Sequence, residues 1–249
     1  MAEPLTPKQL KAAFDKWGVK YVEQAGWENH RRDPLHGPWG PVYGGLIHHT
    51  GDDLPDSVDE ALLRRGRPDL AGPLCNWGMR DDGVVVLIGG GRANHAGLGS
   101  RSVLDHVMNE DYTGELAPGT DTVDGNRHLY GQETMYSGGR PMSKKAYAAT
   151  LRVWAAICDA HGWTALSVIG HREWTRRKID PGSFNLPRFR AQLATLLALG
   201  PGAPTPLRKT TSLTLLRKQI GFFLRKKRRP AVEQALRQAD AVLANHERK

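Results

Sequence analysis

Gly44-Gly45-Leu46-Ile47-His48-His49-Thr50-Gly51 is the stretch from which the fold can be read outward. Its small and apolar residues without a charge describe a short strand, and the two imidazoles mark the point where that strand runs into a loop. A second run of the same kind, residues 166–169, reads as a short apolar strand leading into Gly170-His171. Residues 74–80 and 84–88 are strand-like and are joined by Asp81-Asp82-Gly83, a hairpin-type turn. Between these strands lie helical signals. Thr6-Pro7 caps an amphipathic run that ends at Gly18. Residues 143–161 place Tyr147, Leu151, Trp154 and Ile157 at helical spacing before a stop at Gly162, and residues 186–199 form a closing helix. Helices interleaved with a hairpin and apolar strands predict an α/β fold, a mixed central β-sheet flanked by helices.

Length and charge divide the chain. A sequence of 249 residues with 39% apolar content can bury a core without disulfides, and its two cysteines, Cys75 and Cys158, read as reduced thiols. The N-terminal residues lack a charged-then-apolar signal pattern and no apolar run is long enough to span a bilayer, so a soluble product is expected. The connector Gly200-Pro201-Gly202-Ala203-Pro204-Thr205-Pro206 favours neither helix nor strand and predicts a stiff, extended link. The expected organisation is therefore a catalytic body over residues 1–200, a linker over 201–206 and a tail over 207–249. The tail carries 12 Lys/Arg and 3 Asp/Glu, so the whole formal excess of +9 lies in it and the body is neutral. Leu213, Leu216, Ile220, Phe223 and Leu224 fall on one helical face ahead of Arg225-Lys226-Lys227-Arg228-Arg229, and Pro230 opens a second run with Val232, Leu236, Ala239 and Leu243. Two basic amphipathic helices are implied, suited to an anionic membrane, an anionic polymer or packing on the body. Nucleic acid is not expected as a partner, because no reading motif accompanies the charge.

Histidines carry the chemistry. Neutral imidazole is the commonest zinc donor, and a catalytic site needs three protein ligands with a position left for water. His48 or His49 and His171 sit at the ends of two apolar strands, where distant parts of a chain can converge on one rim, and Asp180 lies nine residues beyond His171, across a loop. Adjacent strand residues point to opposite faces, so one of the pair His48 and His49 faces a metal, and the residues by themselves leave open which.

Three ordered motifs then carry a resemblance: Leu46 to Gly51, Asn94-His95-Ala96-Gly97, and Gly170-His171-Arg172-Glu173 leading to Lys178-Ile179-Asp180-Pro181-Gly182. Over roughly residues 20–200 the chain resembles the type 2 N-acetylmuramoyl-L-alanine amidases, which share a fold with the peptidoglycan recognition proteins. The resemblance implies Zn2+ held by His48, His171 and Asp180, and hydrolysis of the amide between N-acetylmuramic acid and L-alanine in peptidoglycan. It implies Glu133, in Leu129-Tyr130-Gly131-Gln132-Glu133, as general base, although Gln132 stands where the family has Ile. Lys178 is implied as the cation beside the tetrahedral oxyanion. His95, Asn94 and Trp77 are candidate substrate contacts, and Gly89-Gly90-Gly91 reads as a tight loop under the cleft.

Where some members place a tyrosine this chain has Cys75, which puts a tyrosine-assisted mechanism in doubt and gives Glu133 more weight. A papain-like role for Cys75 is the alternative from another chemistry. The resemblance and the missing signal pattern together imply an endolysin of an actinobacteriophage, made in the host cytoplasm and acting on the wall after release, with the tail drawn to the anionic envelope. The rival readings are a peptidoglycan-binding protein that does not cut and a cytosolic amidase that recycles soluble muropeptides. Three candidate ligands favour the enzyme over the first, and a charged tail favours intact walls over the second.

Overall fold

The computed structural model describes residues 2–206; the amphipathic helices expected in residues 207–249 lie outside the described residues. In chain order come the helix Pro7–Lys16 (α1), the strand Tyr21–Glu23 (β1), one helical turn Asp33–His36 (α2), the strand Gly44–His49 (β2) and the helix Asp56–Arg65 (α3). The short strands Gly66–Arg67 (β3) and Leu70–Ala71 (β4) follow, then Trp77–Met79 (β5), Val85–Leu87 (β6), Leu98–Ser100 (β7) and the helix Arg101–Asn109 (α4). The remainder is Asp121–Asp124 (β8), Gly125–His128 (α5), Leu129–Thr134 (β9), the long helix Lys144–His161 (α6), Val168–Gly170 (β10), one turn His171–Trp174 (α7) and Leu186–Leu199 (α8).

The main sheet has the order β1-β6-β5-β9-β2-β10, and only the β5–β6 pair, the expected hairpin, is antiparallel. The sheet is therefore mixed, with β2 between two parallel neighbours. Alternation along β2 sends Ile47 into a core with Trp154 of α6 and Phe189 of α8, and Leu46 into a second core with Val103 and Leu104 of α4 and Trp174 of α7. Helices thus cover both faces. Burying both faces of β2 explains why its run is apolar without interruption.

Two glycines set the packing distance. A Cβ on Gly45 would lie 2.1 Å from Cη2 of Trp154, and one on Gly44 would lie 2.1 Å from the Ser167 carbonyl oxygen. Helix ends follow local chemistry: Thr6 and Gln9 form a capping box on α1, Ser143 accepts the Ala146 amide at the start of α6, and Gly162 ends that helix in the left-handed conformation.

Two expectations are corrected. Residues 165–167 form a 3-10 turn and not the start of a strand, because the Thr164 hydroxyl accepts the Leu166 amide at 3.2 Å and holds the chain in a turn; pairing begins at Val168. The connector does not leave as an extended link. Gly200 and Gly202 take positive φ, the Ala203 amide reaches back to the Gly200 carbonyl, and Arg152 donates to the Ala203 carbonyl at 2.9 Å.

Candidate metal centre

The centre lies at the carboxyl ends of parallel strands, where loops rather than paired backbone surround a ligand. Strand alternation puts His48 on the face of Leu46, and the register His48↔Glu133 puts Glu133 beside it on β9. His171 begins α7 directly after β10, which pairs with β2. Its position is fixed from behind by Glu173, whose carboxylate accepts the Gly170 amide at 2.9 Å and is paired with buried Arg190. Asp180 comes in on the following loop, held by the Arg172 amide on its carbonyl at 2.8 Å.

Three ligand atoms converge. His48 Nδ1 is 2.9 Å from His171 Nδ1, and Asp180 Oδ2 is 2.9 Å from the first and 3.0 Å from the second. All three residues are buried. Carbonyl oxygens, which only accept, decide the protonation of the rings. His171 Nε2 faces the Ala96 carbonyl at 3.2 Å and must carry the proton, so its Nδ1 presents a lone pair. His95 Nε2 likewise donates to the Leu129 carbonyl at 3.1 Å, leaving His95 Nδ1 to accept from His48 Nε2 at 3.1 Å. His48 Nδ1 is then also a lone pair. Two imidazole lone pairs and a carboxylate oxygen facing one another could hold a cation between them, and this donor set fits zinc.

The electrostatics agree. Burial lowers the His48 pKa to about 4, so the ring is neutral. Burial, then His48 and His171, holds His95 well below the usual histidine range. Burial alone would raise the Asp180 carboxyl, but positive charge on the side of His171 and His48 outweighs that and holds it below the usual carboxylate range; with both rings neutral, a cation held between them supplies that charge.

Glu133 stands beside this cluster with its buried Oε2 lacking a hydrogen-bond partner among the described residues. Burial, followed by the negative charge of Asp180, pushes it well above the ordinary carboxylate range, while Lys178 acts in the opposite direction. Lys178 itself is exposed on the loop before Asp180. The departure at Gln132 does not touch the site: its side chain points to the opposite face, donating to Thr134 and Thr150 and accepting from Trp77.

Trp77 must be corrected as a substrate contact. It is fully buried in the α1/α6 core, because alternation on β5 puts it across from Gln132 and away from the centre. His95 is at the centre, but both its ring nitrogens are engaged with protein, which leaves none for substrate. Asn94, half-buried, donates its side-chain amide to the Ala71 carbonyl and so pins the loop. His49 points the other way, edge-on to Tyr136 at 5.7 Å. Cys75 is wholly buried, and burial pushes its thiol up, the reverse of what a nucleophile needs.

Sequence reasoning missed three participants: the Ala96 carbonyl, the Asn126 side chain and Asp59, a buried α3 carboxylate that accepts from Thr50 at 3.0 Å. A backbone carbonyl has no signature in sequence. Asn126 sits in Asp124-Gly125-Asn126, which looks like an ordinary turn.

A family model described as N-acetylmuramoyl-L-alanine amidase matches residues 38–183. Among solved structures, the endolysin amidase LysCS from Clostridium intestinale is 18% identical with a TM-score of 0.44, over 70% of this chain and 95% of that one. A selenomethionine derivative of AmpD is 21% identical with a TM-score of 0.48, over 70% and 93%. A Drosophila PGRP-LB mutant in complex with tracheal cytotoxin is 14% identical with a TM-score of 0.42, over 66% and 88%. No curated protein matches the chain.

Proposed function

The chain belongs to the N-acetylmuramoyl-L-alanine amidase family, and from that premise we propose that it is a zinc-dependent enzyme in which His48, His171 and Asp180 hold the metal, Glu133 is the general base and Lys178 the oxyanion partner. As a member it is a hydrolase of the amide bond between N-acetylmuramic acid and L-alanine, with peptidoglycan as substrate. The observation that carries the zinc assignment is the convergence of two imidazole lone pairs on the Asp180 carboxylate.

When bound, zinc supplies Lewis acidity for the scissile carbonyl and makes a nearby water easier to deprotonate. Glu133 has an unpartnered oxygen, Oε2, beside the centre; ionised, as a cation held by the neighbouring cluster would favour, it would take a proton from water there and return it to the departing alanine nitrogen. The Lys178 ammonium, exposed on the loop before Asp180 and close enough to act on the charge of Glu133, would balance the negative charge that builds on the carbonyl oxygen.

The chain's place of action is proposed from its charge. The tail's excess of +9 attracts an anionic envelope and raises the local concentration of wall substrate, which suits a phage lysin that leaves the host cytoplasm to open intact walls. A recycling amidase acting on soluble fragments gains nothing from it.

The test is zinc content together with release of L-alanine amino termini from purified peptidoglycan. We expect about one zinc per chain by the three-ligand argument, loss of metal and turnover in His171→Ala, and loss of turnover with metal retained in Glu133→Gln. Native protein that carries no zinc overturns the metal assignment. Changing the five basic residues 225–229 to Gln should slow cleavage of intact walls and leave soluble muropeptide cleavage unchanged; equal rates on walls overturn the role given to the tail.

A further inference from the structure

A neutral imidazole presents either of its two nitrogens to a metal, and in water the two tautomers interconvert freely. In this protein both ligand histidines are held in one tautomer by adjacent residues of one loop. His95 accepts from His48 Nε2, and the carbonyl of the next residue, Ala96, accepts from His171 Nε2. That loop is built for the purpose. The single side-chain oxygen of Asn126 gathers three consecutive backbone amides, those of His95 at 2.9 Å, Ala96 at 2.7 Å and Gly97 at 3.3 Å. The Gly125 amide donates to the Gly97 carbonyl at 2.9 Å, and the Asn94 amide to the Pro73 carbonyl at 2.8 Å. The ring of His95 lies directly over β9, where a Cβ on Gly131 would meet its Cγ at 2.5 Å and its Nδ1 at 2.7 Å. Its far nitrogen is fastened to the Leu129 carbonyl of the same strand.

We propose that His95, clamped by Asn126 and seated over Gly131, is a positioning residue: it locks His48 with the proton on Nε2 and so keeps the Nδ1 lone pair turned toward the metal. Asn126 acts on both ligands at once, since the amides it gathers flank the carbonyl that orients His171. The inference rests on the assignment of His48 and His171 as ligands. It gives His95 an orienting task in place of a substrate contact, and explains why a glycine is needed at Gly131, in the strand that carries Glu133.

Two measurements test it. The first is zinc affinity by competition with a chromophoric chelator, for the native chain, His95→Phe, His95→Gln, Gly131→Ala and Asn126→Ala. Removal of a partner behind a metal-binding histidine typically weakens metal binding by about 10- to 100-fold, and that loss is expected for His95→Phe and Gly131→Ala. His95→Gln, whose amide oxygen still accepts from His48, should recover most of it. Asn126→Ala should fall between them. The second is the tautomer of His48 in the metal-free protein, read from two-bond nitrogen–proton correlations: a single Nε2–H form in the native chain and in His95→Gln, a mixture in His95→Phe and Gly131→Ala. Thermal unfolding of each variant separates misfolding from misorientation. A native His48 protonated on Nδ1, or a folded His95→Phe that binds zinc within twofold of native, overturns the proposal. Native protein that fails to bind zinc refutes the ligand assignment instead, and the tautomer measurement then still decides whether His95 orients His48.

Discussion

Arg190→Met is the perturbation whose size the structure fixes best. Arg190 and Glu173 are buried at 4% and 1% relative exposure, so neither charge can turn to water when its partner is removed. The pair is bidentate, with Nη1 and Nη2 each 3.0 Å from one carboxylate oxygen. Glu173 also accepts the amides of Leu116 and Gly170, both at 2.9 Å, and Arg190 donates to the Val168 and Gly114 carbonyls while lying over the Tyr112 ring at 5.2 Å. Breaking a buried pair from one side costs about 3 to 5 kcal/mol, because the surviving charge is left uncompensated. In a domain of this size each 1 kcal/mol moves Tm by about 2 to 4 °C, so the expected fall is roughly 6 to 20 °C. Replacing both partners with Met removes the stranded charge and should recover more than half of that loss. Thermal unfolding of the two single variants and the double variant reads this directly. If Arg190→Met shifts Tm by less than about 2 °C, equivalent to roughly 1 kcal/mol, or if the double variant is as unstable as both singles added, the account of α7 as an element anchored from behind by this ion pair is refuted.

Trp77→Leu should lower stability by about 1 to 3 kcal/mol through core volume loss, with an unchanged KM for peptidoglycan in the folded fraction; a raised KM without a stability loss would restore its reading as a substrate contact. Asp59 has its carboxyl pushed up to about 6, first by burial and against the Thr50 hydrogen bond. The folded state therefore binds this proton more tightly than the unfolded chain, so Asp59 works against stability increasingly as pH rises from about 4 through 6. Asp59→Asn, which keeps an acceptor for Thr50, should be more stable than native above pH 6 and should flatten that part of the profile in urea titrations; parallel profiles contradict it. Cys75 should react with a disulfide reagent only after unfolding, and fast labelling of Cys75 in the native protein would show that its burial and raised pKa are misassigned.

How much was legible in the sequence depended on how locally each feature is specified. Helices α1, α6 and α8 declare themselves through caps and apolar spacing, and the β5–β6 hairpin through its Asp-Asp-Gly turn. Helix α3 was not foreseen, because only Asp59 and Leu63 of its ten residues are buried and no apolar stripe forms. Helix α4 could have been found: Ser100 caps it, and Val103, Leu104 and Val107 lie on one face. The three candidate ligands were nameable because a chemically distinctive side chain at a strand end is visible without the fold. Trp77 was misread because an aromatic residue in a strand looks the same whether its face meets solvent or a core.

The sequence alone determined the class of fold, the candidate donors and the separation of charge into the tail, because residue type, spacing and formal charge are properties of the chain itself. Tertiary structure decided which face each strand residue occupies, that His95 and the Ala96 carbonyl stand behind the two histidines, and that Oε2 of Glu133 is buried beside them without a partner among the described residues. Those facts depend on strand register and on contacts across dozens of residues, and hydrogen-bond direction at a ring nitrogen exists only once its neighbour is in place.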